Sequence, residues 1–391
     1  VDIYKPLKVN ELIQNRKVQF LKDLVIKPEE LSAPDNKISL ADIEMSKYQK
    51  QQFDDTFKKK YIKASSDGFL FLTIMPTEKC NFRCVYCYED FQIGKMDVKT
   101  VHAIKNLLSH SAPTLKNLVI TWFGGEPTLN TAAVFDISEH ILLLQSEFGF
   151  KYSANMTTNG YLLDLTMLEQ LVKFGVSEFQ ISLDGDRILH DSTRVQLSGK
   201  GSFNQIWSNL LAFSHSNLSF HIQLRIHITE KNLSSVILLG KKIKSNFALD
   251  KRFSVILKNI SDFGTGHNSG NVKALVPINL KQKLEQLKTI YRDLTNTPNI
   301  KDIYICYASM PRHVVIRADG SLSKCTVKLH EDDNKIGKIC DDGRLQVDDN
   351  KFSFWTEGFE EINLSKLACP AQNLKSNLKS ISDIPIITTF D

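Results

Sequence analysis

The stretch Lys79-Cys80-Asn81-Phe82-Arg83-Cys84-Val85-Tyr86-Cys87-Tyr88 decides how this chain is read. It follows Phe69-Leu70-Phe71-Leu72-Thr73-Ile74-Met75, an apolar run with the length of a buried strand. Cys80, Cys84 and Cys87 are therefore expected together in one tight loop at a strand end. Three thiolates spaced CxxxCxxC can hold three irons of a [4Fe–4S] cube. The fourth iron is then left for a small molecule to chelate, which makes such a site catalytic rather than purely electron-carrying. Zinc is the alternative, with His102 and His110 the nearest histidines. A disulfide framework suits short secreted chains, not one of 391 residues.

Further segments follow in order: Phe123-Gly124-Gly125-Glu126-Pro127, Thr158-Asn159-Gly160, Ser182-Leu183-Asp184-Gly185, and His190-Asp191-Ser192-Thr193-Arg194. With CxxxCxxC and an aromatic before its last cysteine, they make residues 69 to 194 resemble the radical S-adenosylmethionine (SAM) enzymes. The resemblance implies that Cys80, Cys84 and Cys87 ligate a catalytic cluster whose open iron takes SAM. Gly124, Gly125 and Glu126 would hold the methionine amino group, and Tyr86 would pack on adenine. Asn159, Ser182, Asp184 and Arg194 would complete the SAM site, Arg194 through a charge-assisted contact. Reductive cleavage of SAM to methionine and a 5′-deoxyadenosyl radical, which abstracts hydrogen from an inert carbon, is the implied chemistry. Glu126 has a second reading, as a helix cap, although two preceding glycines favour close backbone approach to a ligand.

Composition sets bounds around this site. The chain is 42% hydrophobic and 24% charged, ordinary for a globular protein. A net charge of +5 gives no reason to expect nucleic acid as a partner, and Lys58-Lys59-Lys60 reads as a solvated helix face. No apolar stretch approaches the roughly 20 residues of a membrane span, and no secretory signal is evident. Seven cysteines, three of them in one loop, fit metal ligation in a reducing compartment. A cytoplasmic enzyme is expected.

Residues 66–265 alternate strand and helix signals. Strands are expected at 69–75, 118–123, 153–158, 178–183, 219–228 and 253–258, and helices near 98–110, 133–147, 163–174, 202–214 and 234–245. Six such units argue an α/β fold with a parallel sheet, which in the resembled family is a partial (β/α)6 TIM-like barrel. Every motif then falls just after a strand, at the mouth where β/α folds build active sites. Arg225 alternates with apolar neighbours and so points inward; His227 shares its face, and is expected to be a hydrogen-bonded core histidine. Asn232 is a weaker candidate near the cofactor, and Gly264-Thr265-Gly266-His267-Asn268-Ser269-Gly270 reads as a connector near the mouth.

The flanks differ. Residues 1–65 form an appended segment, with a helix capped near Ser39 carrying Tyr48, Phe53, Phe57 and Tyr61; in peptide-modifying relatives such a region sometimes grips a leader peptide, and a plain lid is the other reading. Residues 266–391 carry Cys306, Cys325, Cys340 and Cys369. Cys306, Gly320 and Cys325 fit the CX9-15GX4C opening of the SPASM and twitch extensions, with a hairpin turning at Asp319-Gly320. The resemblance implies one auxiliary [4Fe–4S] cluster on these four cysteines, Cys340 being the least certain ligand; zinc could use the same set. The longer SPASM pattern is missing, because Cys369-Pro370-Ala371-Gln372 stands alone.

Relatives with such extensions mostly modify ribosomally made peptides, so a precursor peptide substrate, an oxidative carbon–carbon or thioether crosslink, and an electron donor such as flavodoxin or ferredoxin are implied. Sulfatase maturation is disfavoured by Thr326, where an aspartate base is expected. Dehydrogenation of a small sugar-like molecule and a noncatalytic iron–sulfur or zinc scaffold are the remaining readings.

Overall fold

The computed structural model describes residues 57, 59–229, 231–260, 287, 289–292, 304–361 and 363–373. The expectations for residues before 57 and for the glycine-rich loop at 264–270 lie outside them. Strand β1 (Phe69–Thr77) is buried along its whole length, as a strand covered on both faces must be. A short β2 (Phe82–Cys84) follows, then helix α1 (Val98–Ser111), started by Asp97, whose carboxylate accepts the Thr100 N–H. The alternation continues through β3 (Asn117–Gly124), α2 (Thr131–Phe148), β4 (Lys151–Thr158), α3 (Leu165–Lys173) and β5 (Val176–Leu183). After α4 (Arg187–Thr193) and β6 (Arg194–Gln196) come α5 (Phe203–Ser214), β7 (His221–Ile228), α6 (Leu233–Phe247) and β8 (Phe253–Asn259).

Strands β1, β3, β4, β5, β7 and β8 lie side by side in that order and pair in parallel throughout. All six expected strands and all five expected helices of this region are present, so the (β/α)6 reading holds. Helix α4 and the antiparallel ribbon of β2 with β6 were not anticipated; the ribbon pairs Cys84 with Arg194 and so ties the cysteine loop to the fifth motif.

The C-terminal strands do not form a sheet of their own. Strand β9 (His313–Ile316) pairs in parallel with the free side of β1, and β10 (Ser321–Ser323), β11 (Gly337–Ile339) and β12 (Leu345–Val347) extend it antiparallel, making one ten-stranded sheet. The turn between β9 and β10 falls at Gly320, as its sequence implied, with a φ of 79° that favours glycine. Helices α7 (Asp349–Glu361) and α8 (Leu364–Ala368) close this part. Tyr61 stacks on Phe359 of α7 at 4.7 Å, so the end of the N-terminal segment docks on the C-terminal extension.

Candidate functional site at the mouth of the sheet

Cys80, Cys84 and Cys87 face one cavity of about 1130 Å³ at the C-terminal ends of the parallel strands. Its wall also carries Tyr86, Gly124, Gly125, Asn159, Ser182 and Arg194, so seven separated stretches of sequence meet there once Arg225, His227 and Thr326 are added. All three cysteines are free thiols. Burial pushes the Cys80 thiol far up, helped by the Glu126 charge, and burial with the Glu89 charge does the same to Cys87. Thiols so placed stay protonated unless a metal draws off the proton. No three His, Cys, Asp or Glu side chains among the described residues converge on the point a single metal ion would occupy.

The two glycines are required by the backbone. A Cβ on Gly125 would lie 2.5 Å from the Lys79 carbonyl oxygen, and one on Gly124 would collide with that of Thr77. The close approach is therefore to the end of β1, and it brings the β3 loop against the cysteine loop. Glu126 is fully buried and does not line the cavity. Its carboxylate accepts from the Thr128 N–H and hydroxyl, the Thr158 hydroxyl and the Asn159 N–H, the last at 2.6 Å. It caps the turn after it and clamps β3 to β4. Asn159 donates to Asn81 Oδ1 at 2.7 Å, fixing the cysteine loop from the other side.

Tyr86 and Asp184, 98 residues apart, meet in a buried network. The Tyr86 hydroxyl donates to the Asp184 carboxylate at 2.7 Å and accepts from Arg194 Nη1 at 2.8 Å. Thr193 donates to the same carboxylate at 2.6 Å. Arg225 Nε donates to His227 Nε2 at 3.0 Å, so that nitrogen accepts and the ring proton sits on Nδ1, which donates to Asp184 at 3.0 Å. Burial works against ionised Asp184, yet the hydrogen bond from His227 and the Arg194 guanidinium outweigh it, holding the carboxyl below its ordinary range. Burial keeps His227 below its ordinary value and neutral. Asn232 sits behind the network, donating to the Asp184 and His227 carbonyls.

Two charged residues not anticipated from sequence complete the region. Arg317, just past β9, grips Glu78 through Nε at 2.9 Å and Nη2 at 2.7 Å, both side chains buried. Glu89 lines the cavity, and burial with the nearby Glu78 charge pushes it up to about 8. Only its place just after a cysteine loop could have drawn notice.

The C-terminal cysteines divide. Cys306, Cys325 and Cys369 lie close enough for each charge to act on the Cys306 thiol, and Thr326 carries this group to the cavity wall. The Tyr307 hydroxyl hydrogen-bonds Thr326 Oγ1 at 2.7 Å behind it. Cys340 is carried by the turn between β11 and β12. The register Ser321↔Lys338 places it level with Asp319, at the hairpin turn, whereas Cys325 follows the opposite end of β10. Its turn packs on α1 at Asn106 and Leu107 instead.

Residues 74–229 match the Radical SAM superfamily. A GTP 3′,8-cyclase of Aliarcobacter butzleri is 27% identical over 238 residues, 58% of this chain and 67% of the relative. A cysteine-type anaerobic sulfatase-maturating enzyme of Clostridium novyi is 27% identical over 167 residues, 40% of this chain, which spans only 43% of that relative. Among solved structures, native anSMEcpe with bound AdoMet aligns at TM-score 0.53 and 19% identity over 73% of this chain and 80% of that one. Streptococcus suis SuiB bound to precursor peptide SuiA aligns at 0.51 and 19% over 88% of this chain and 78% of that one. At such identity the structures speak for a shared fold.

Proposed function

We propose, from the premise that this chain is a radical SAM enzyme related to peptide and sulfatase maturases, that it modifies a ribosomally made peptide at the cavity described above. The observation that carries the reading is that Cys80, Cys84, Cys87, Asn159, Ser182, Arg194 and Thr326 all line one cavity. The free, half-buried thiols fit a [4Fe–4S] cluster, which with SAM supplies one-electron cleavage and a radical able to take hydrogen from an unactivated carbon. Cys80, Cys84 and Cys87 would hold that cluster. Gly124 and Gly125 offer backbone at the cavity wall, Ser182 and Asn159 offer hydrogen bonds, and Arg194 offers charge. Arg194 Nε is buried with no partner, which leaves it free for such a contact. Tyr86, pinned by Asp184 and Arg194, holds its ring edge-on to His227 and narrows the cavity beside the cysteines.

Cys306, Cys325 and Cys369 would hold an auxiliary cluster, to which Cys340 contributes nothing. Thr326 carries no carboxylate, so the proton released on oxidation needs another acceptor than in the aspartate-bearing maturases. An acidic donor such as flavodoxin or ferredoxin would supply electrons. No helix among the described residues is long and apolar enough to cross a membrane.

The test is anaerobic reconstitution with iron and sulfide, followed by reduction with SAM and a short peptide encoded beside the chain's own gene. Release of 5′-deoxyadenosine together with a mass loss of two hydrogens in the peptide supports the reading. Cleavage of SAM with no change in any neighbouring peptide sinks the peptide assignment, and absence of bound iron sinks the whole of it.

A further inference from the structure

Glu89 is 7% exposed, and its Oε2 is buried with no hydrogen-bond partner, yet the residue lines the cavity. The cation nearest in kind, Arg317, is spent: Nε and Nη2 hold Glu78, and Nη1 donates to the Leu329 carbonyl at 3.2 Å. Arg225 lines the same cavity but donates to His227 and to Gln180 Oε1, and forms no ion pair with any described carboxylate. A carboxyl kept from water ionises readily only when a cation or donor sits beside it. Among the described residues, this acceptor has no match.

We propose that Glu89 is the subsite for a cationic side chain of the substrate, the ammonium of a lysine or the guanidinium of an arginine in a peptide. A neutral amide N–H could bond Oε2 but would leave the charge uncompensated, whereas an ammonium or guanidinium does both. Tyr88, Phe123 and Ile260 on the same wall offer apolar surface to the aliphatic stem behind such a head group. This inference rests on the peptide reading and narrows it to peptides with a basic residue at or beside the reacting position.

The test compares N-acetyl-lysine amide, N-acetyl-arginine amide and N-acetyl-norleucine amide by calorimetry on the reconstituted, SAM-bound enzyme. At least one basic probe is expected to bind about tenfold tighter than norleucine amide, and Glu89→Gln to abolish that ratio while iron content and SAM affinity stay at wild-type values. Glu89→Asp, which keeps the charge, is expected to retain part of the preference, and serves alone if the glutamine variant does not fold. Equal affinities for all three probes, or a preference that survives Glu89→Gln, would overturn the proposal. So would loss of iron or SAM affinity in the glutamine variant, because the carboxylate would then serve the cluster. Wild type that fails to cleave SAM counts against the functional reading; wild type that cleaves SAM yet ignores charge counts against this subsite alone.

Discussion

Replacing Arg317 with methionine removes the guanidinium that joins the C-terminal extension to the segment leading into Cys80. Glu78 is 2% exposed and takes two hydrogen bonds from that one side chain, at 2.9 and 2.7 Å. The variant leaves its carboxylate buried beside Glu89 with neither partner nor water. Breaking a buried pair from one side costs about 3–5 kcal/mol, most of it the stranded charge rather than the lost attraction. The double replacement Glu78→Met with Arg317→Met strands nothing, and is expected to fall within about 1 kcal/mol of wild type. Urea unfolding followed by tryptophan fluorescence reads both halves of the contact, since Trp122 of β3 and Trp355 of α7 are fully buried. Iron content should fall with Arg317→Met, because Glu78 lies two residues before Cys80. A single variant that loses less than about 1 kcal/mol, or a double variant that loses the sum of the singles, refutes the reasoning.

Three other outcomes are expected. Cys340→Ser should leave iron content unchanged while serine at Cys306, Cys325 or Cys369 lowers it, by iron assay after anaerobic reconstitution; equal loss at all four positions would place Cys340 back in the set. Gly125→Ala, whose methyl would sit 2.5 Å from the Lys79 carbonyl oxygen, should cost about 1–3 kcal/mol in thermal unfolding, whereas Gly94→Ala meets nothing within 4 Å and should stay within about 0.5 kcal/mol. His190 is fully buried, and burial holds it down at about 4 in the fold. An unfolded histidine titrates near 6.5, so between about 6.5 and 4 the unfolded chain binds a proton that the native one refuses. Stability is thus lost as pH falls through that window, by up to about 3 kcal/mol, and levels off below it. His190→Leu should flatten this part of the pH profile; an unchanged slope would refute the assignment.

The parallel core was legible because β1 and β3 are apolar runs, β5 and β7 alternate apolar with polar residues, and helical stretches separate the strands. The cysteine loop was legible because its chemistry depends on local spacing, which sequence displays directly. Contacts between distant segments were not. Nothing in a reading of Tyr86 alone shows Asp184 as its partner, since both the alternation of β5 and the turn before α4 must be in place first. Glu89 reads as an ordinary loop carboxylate until the cavity around it is seen. His227 did prove to be a hydrogen-bonded buried histidine, but it also faces the cavity, a distinction that alternation along β7 cannot make.

Glu126 and Cys340 show that spacing constrains some candidate residues far more tightly than others. Cys80, Cys84 and Cys87 lie within eight residues, so no plausible loop could separate them far. Cys340 follows Cys325 by fifteen residues, long enough to form an antiparallel return, and in such a pair a residue's spatial neighbour is set by register. With Ser321 opposite Lys338, the sheet carries Cys340 to the far end of the strands from Cys325. Glu126 is the converse case. Gly124 and Gly125 before it line the cavity, but four donors from Thr128, Thr158 and Asn159 satisfy both carboxylate oxygens of Glu126 before any ligand arrives. A ligand's amino group would have to displace one of these bonds. The contact nearer to hand is the β3 backbone at Gly124 and Gly125, which that clamp holds against the cysteine loop.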